Sequence, residues 1–175
     1  MDYREEFLQI WHQHVSRPGS EKLLDWLDNK TDFFSAPAST RFHGACEGGL
    51  CMHSLNVYHA LHDTFFTEGD SEESFAICAL LHDLCKVEEY EKDGDGWKHY
   101  KLKGHGERSA ALAEELLNDA GALSLTEEEM LCIRWHMGFA DDKENWNCYG
   151  AAIEKYQNVL WTHTADMVAS RVLGV

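Results

Sequence analysis

Apolar residues recur at spacings of three and four along almost the whole chain, the period of helices with one buried face. Phe7, Leu8, Ile10 and Trp11 predict a first helix over about 3–15. Pro18-Gly19-Ser20 ends it, and Ser20 caps a second helix carrying Leu23, Leu24, Trp26 and Leu27. Residues 31–49 form a loop. A long helix is expected from Leu50 to about Phe66, and another from Ser71 to about Lys86. Val87–Glu91 and Trp97–Leu102 predict two strands, with the turn chemistry of Asp93-Gly94-Asp95-Gly96 between them. A helix follows from about His105 to Ala120, stopped by Gly121. Thr126 and Glu129 make a capping box, with Leu125 and Met130 placed for a hydrophobic staple. That helix ends near Met137, with Gly138 in the C′ position. Asp141–Gly150 reads as polar loop and 151–172 as one last helix. Only Pro18 and Pro37 interrupt the pattern, and no repeat or linker divides it. The expectation is one all-α domain over 1–175 with a small β-hairpin, in which residues 1–30 supply covering helices.

Composition narrows what such a bundle can do. The chain carries 15 basic and 31 acidic residues, a formal charge of −16. A body this negative repels phosphate backbones, so long nucleic acids are not expected partners. A small anionic substrate met locally by metal ions or a few cations remains compatible. The N-terminus has acids where a signal peptide needs lysines. The longest apolar run, Phe75–Leu81, is far shorter than the roughly 20 residues that span a bilayer. The six cysteines contain no CxxC pair, and Cys78, Cys85 and Cys132 fall inside apolar helical patterns. Reduced thiols in a cytoplasmic protein without membrane association are the expectation.

The candidate chemistry lies in the histidines. The chain has 11 of them. His53 comes early in the third predicted helix, His82-Asp83 late in the fourth and His105 at the start of the helix after the hairpin. His136 lies in the last turn of the capped helix, and Asp166 in the final one. Mixed imidazole and carboxylate ligands suit divalent first-row metals rather than calcium. Asp83 has two oxygens and is the natural bridge between two ions. His59 and His62 point about 240° and 180° around the helix from His53, away from such a site. His12, His14 and His99 read as solvent-facing, and His163 as lying on a face beside Asp166.

These residues fall into a known order. His53 in GGLCMHSLNV, His82-Asp83 in ALLHDLCKV and Asp166 in THTADMVAS resemble the His, His-Asp, Asp pattern of HD-domain metal-dependent phosphohydrolases. The resemblance covers about 41–171, and implies an HD-domain helical bundle as the core. His105 in GHGERSA and His136 in IRWHMG extend it toward the dinuclear branch, as in small bacterial and phage HD hydrolases. The resemblance implies one metal held by His53, His82, Asp83 and Asp166, and a second held by Asp83, His105 and His136. It also implies hydrolysis of a phosphoester in a nucleotide or small phosphorylated metabolite, by attack of a metal-bound hydroxide. The cofactor would be one or two divalent ions among Fe, Mn, Co, Ni, Zn and Mg. Lys86 occupies the HD-x-x-K position and, with Asp83, belongs to the catalytic set. Arg134, Arg108 and His43 are further candidates for substrate contacts, with Lys101 and Lys103 adding positive potential nearby. The same ligand set serves mixed-valent di-iron oxygenases of the superfamily, and a non-catalytic regulatory module is a third reading. Two features depart from the cyclic-dinucleotide-hydrolysing subclass: no Gly-Tyr-Pro segment follows a second histidine, and Gly49 stands where that subclass has an acidic ligand.

Overall fold

Capping and apolar periodicity produce helices where the sequence predicts most of them. In the computed structural model, which describes residues 2–99, 106–112 and 125–174, α1 spans Tyr3–His14 and α2 Ser20–Asn29. Next come α3 (Gly49–Phe65) and α4 (Glu72–Leu81), then a 3₁₀ turn over Leu84–Lys86. The helix after the hairpin, α5, is described over 106–112. The last three helices are α6 (Glu127–Trp135), α7 (Trp146–Lys155) and α8 (Asn158–Val168). The Ser71 hydroxyl accepts the Ser74 N–H at the start of α4. At α6 the full capping box forms: Glu129 N–H donates to Thr126 Oγ1 at 3.2 Å, and Thr126 N–H to Glu129 Oε2 at 2.8 Å.

The helices α3, α4, α6 and α8 pack on one another, and α1 covers α3 and α4. Every residue of α4 from Phe75 to Leu81 is buried, as expected of a helix that is apolar on all sides. Phe7, Trp11, Phe33, Leu50, Leu55 and Leu80 belong to the main core. A smaller cluster joins Cys78 and Cys132 to Trp135, Tyr149 and Val159. All six cysteines are free thiols. Among the described residues no helix is long and apolar enough to cross a membrane.

The structure corrects several boundaries. The first strand, β1, is Tyr90–Asp93 rather than 87–91, because Glu88 takes a positive φ of 59° and turns the chain before pairing begins. Its partner β2 is Gly96–His99, antiparallel, with Tyr90 opposite His99 and Asp93 opposite Gly96, so the turn is Gly94-Asp95. Residues 100–102 of the expected strand lie outside the described residues. The fourth helix stops at Leu81 instead of continuing to 86, which frees His82 and Asp83 from regular helix. The expected final helix is two: α7 begins inside the predicted loop, and the extended Tyr156 (φ −138°) separates it from α8. That break is tied down from α6, since Tyr156 Oη donates to Glu127 at 3.1 Å and Asn158 Nδ2 to Glu128 at 2.8 Å. Residues 169–173 then leave the α-helix as a π-turn.

Candidate metal centre

Each helix of the four-helix core delivers a ligand-type side chain to one buried point. His53 comes from α3, His82 and Asp83 from the end of α4, His136 from the end of α6 and Asp166 from α8. All five are buried. Two trios have ligand atoms within 4.8 Å of one another: His53, His82 and Asp166, and His82, Asp83 and His136. His53 Nε2 lies 3.2 Å from His82 Nε2 and 3.1 Å from Asp166 Oδ1. Asp83 turns Oδ2 toward His82 at 3.4 Å and His53 at 3.6 Å, and Oδ1 toward His136 at 3.4 Å. One carboxylate therefore faces both halves of the site.

Hydrogen bonds fix which nitrogen each ring offers. A carbonyl can only accept, so His82 Nδ1–H donates to Ala79 O at 2.7 Å and His136 Nδ1–H to Ile133 O at 2.7 Å. In the neutral form of each ring Nε2 is then the lone-pair nitrogen that faces the centre, the arrangement in which an outer partner orients a metal-binding imidazole. Ligands about 2.0–2.2 Å from one ion stand about 2.9–3.6 Å apart in tetrahedral or octahedral geometry. Most separations given above fall in that range, while His82 Nε2 to Asp166 Oδ1 is wider at 4.0 Å. The donor set fits a divalent ion of the borderline class, and these buried groups could hold one.

Burial and neighbouring charges set the protonation states. Burial lowers the pKa of His53. It acts the same way on His82, but Asp83 and Asp166 outweigh it and raise that pKa. Burial would raise the pKa of Asp166, yet the His53 hydrogen bond and the nearby imidazoles hold it well below the carboxylate range. His43, whose ring centroid is 4.5 Å from that of His53, is pushed down to about 4 by burial and by the charges of His53 and Lys86.

The expected site residues separate into two groups. His43, Asp83, Lys86 and Asp166 line a cavity of about 230 Å³ that opens on the centre. Lys86 Nζ bonds Asp83 Oδ2 at 2.6 Å, with its side chain 13% exposed. Arg108 and Arg134 do not line that cavity. Arg108 pairs with buried Glu89 and donates to Cys85 O at 3.4 Å, while Arg134 pairs with Asp141 at 2.5 Å and stacks over Trp135. In a chain with twice as many acids as bases, these guanidinium groups find carboxylates and become braces. His105, Lys101 and Lys103 lie outside the described residues.

Other histidines depart from the sequence reading. His14 is not solvated; its side chain is 15% exposed, beside Tyr58. His99 bonds Glu89 at 3.0 Å and stacks on Tyr90. His163 Nδ1–H donates to the carbonyl of His136 at 2.7 Å, and its ring packs where a Cβ at Gly138 (φ +51°) would stand. His163 thus steadies the backbone of a candidate ligand, a role its neighbouring-face position does not reveal. Gly49 has no room for an acidic side chain, since a Cβ there would meet Gly44 O at 2.0 Å. The tight loop that crosses it also delivers His43.

Two features were not visible in the sequence. Met137, Ala140, Met167, Ser170 and Arg171 complete the lining of the cavity. Behind the ligands, Cys78, Cys132 and Thr162 line a second cavity of about 230 Å³. Each stands four residues, about one helical turn, before His82, His136 and Asp166 respectively. Comparison with protein families, with curated proteins and with solved structures finds no match to this chain.

Proposed function

We propose that this chain is an HD-type metal-dependent phosphohydrolase that cleaves a phosphoester of a nucleotide or small phosphorylated metabolite. One observation carries the reading. The residues of the His, His-Asp, Asp order meet at one buried point from three core helices, and a cavity opens beside them.

In this reading His53, His82, Asp83, His136 and Asp166 hold one or two divalent ions. Such ions supply positive charge to the phosphoryl oxygens and lower the pKa of the attacking water. The chain's own groups supply the rest. The Nδ1–H bonds of His82 and His136 hold their rings in one tautomer and one orientation. Burial would lower the pKa of Lys86, but Asp83 raises it, so the ammonium stays charged and can offset charge in the transition state. His43 is neutral near pH 7 and offers a hydrogen bond rather than a charge. The cavity lies below the roughly 300–1,000 Å³ of sites for drug-sized ligands, which favours a compact substrate.

The test is metal analysis on protein purified without a metal-affinity step, followed by a panel of nucleotides and phosphometabolites with Mn, Fe, Co, Ni, Zn and Mg. Asp83→Ala is expected to lose both bound metal and activity. Full phosphatase activity after stringent chelation would sink the proposal. Iron retention with substrate-dependent oxygen uptake and no phosphate release would point to the oxygenase chemistry instead.

A further inference from the structure

The cavity carries a cation that the proposed chemistry does not use. Arg171 lines it alongside Lys86 and Asp166, and among the described residues no ion pair involves it. Arg4, Arg17, Arg108 and Arg134 all pair with carboxylates, so Arg171 shares its freedom only with Arg41 among the described arginines, and Arg41 does not line the cavity.

Its position depends on the end of α8. On a regular helix of about 100° per residue, the fifth residue after Asp166 would point about 140° away from it. Ala169–Leu173 is instead a π-turn, and Gly174 N–H donates to Ala169 O, five residues back, at 3.3 Å. The wider turn narrows that angle, and both residues line the cavity. Gly174, at φ +68°, ends the turn.

The lining of the cavity is mixed. Asp83 and Asp166 are buried, Met137 and Met167 add apolar surface, and Arg171 is an exposed cation. A phosphoryl group beside the buried carboxylates would be matched by Lys86 and bound ions, leaving Arg171 for something else. A guanidinium offers a planar fork that suits the paired oxygens of phosphate or carboxylate.

We propose that Arg171 is a specificity-determining residue that binds a second anionic group of the substrate, so that the preferred ligand is a compact phosphoester with another phosphate or carboxylate. This rests on the phosphohydrolase reading of the same site.

The experiment uses full-length protein at fixed free Mn²⁺ and three non-hydrolysable probes: methylphosphonate, phosphonoacetate and methylenebisphosphonate. Affinities are measured by calorimetry, without turnover. Wild type is expected to bind at least one doubly anionic probe about tenfold or more tightly than methylphosphonate. Arg171→Ala should remove that preference, and Arg171→Lys should restore part of it. Which doubly anionic probe gains the advantage tells a second phosphate from a carboxylate. Equal affinity for all three probes in wild type overturns this proposal and leaves the phosphohydrolase reading intact, as does a preference that survives Arg171→Ala. Uniform weakening of all three probes by Arg171→Ala also overturns it. Failure of the Mn²⁺-loaded protein to bind any probe counts against both.

Discussion

Replacing Arg17 with alanine should destabilise the protein far more than an average surface change. Glu129 is fully buried in α6. Arg17 Nη1 donates to its Oε2 at 2.7 Å, and Nη2 meets Oε1 in a second contact, giving a two-pronged pair. Ser74 Oγ adds a bond to Oε1 at 2.6 Å, and Arg17 Nε reaches Glu73 Oε2 at 2.9 Å. The cluster joins the α1–α2 connection, the start of α4 and the start of α6. Arg17→Ala leaves the Glu129 charge buried without its counter-ion, which costs about 3–5 kcal/mol. At about 2–4 °C per kcal/mol for a chain of this size, the melting temperature should fall by about 6–20 °C. Arg17→Met with Glu129→Gln removes both charges and keeps the capping box, so it should stay within about 2 kcal/mol of wild type. Urea titration and thermal melts of the single and double variants measure these differences. A loss below about 1 kcal/mol in Arg17→Ala would show that Glu129 is not a desolvated charge and would refute the reasoning.

The same cluster gives a pH dependence. Burial acts to raise the Glu129 pKa, but hydrogen bonds from Arg17, Ser74 and Thr126 outweigh it and hold the pKa below the ordinary 4.5. Because the folded pKa lies below the unfolded one, this stabilisation is present above about pH 4.5 and is lost as pH falls through the folded value. The urea midpoint should therefore drop below pH 4.5 in wild type, whereas in Arg17→Ala, where burial is no longer offset by the guanidinium, this acid-side loss should shrink or reverse. Gly49→Ala should cost about 1–3 kcal/mol or more in chemical denaturation, because its Cβ meets the Gly44 carbonyl at 2.0 Å with backbone on both sides. Gly150→Ala is the opposite case. It lies within α7 with nothing near its Cβ and should stabilise by about 0.5–1 kcal/mol in the same assay. His53→Ala and Asp166→Ala should each lower metal content measured by mass spectrometry, since both belong to one ligand trio.

The helical plan was legible because apolar periodicity and caps are local signals. Thr126 and Glu129 announce α6, and the structure shows both bonds of their box. The end of α4 was not legible, because the Phe75–Leu81 run and the residues after it read as one apolar helix. The Tyr156 break depends on Glu127 and Glu128, some 30 residues earlier, and no local pattern encodes it. The site divides in the same way. His53, His82, Asp83, His136 and Asp166 could be picked out by residue type and order. Arg108 and Arg134 looked available because a sequence shows a cation but not the carboxylate that takes it. Arg171 was hidden for a related reason, since the π-turn that carries it departs from the helical spacing the sequence predicts.

The tier of Cys78, Cys132 and Thr162 repeats the plan of the centre one turn away. On α4, α6 and α8 a small side chain and a ligand-type side chain share one stripe, and the small ones line a cavity of their own. Bulk can therefore be added at 78, 132 or 162, into that space, without replacing the side chains of His82, His136 or Asp166.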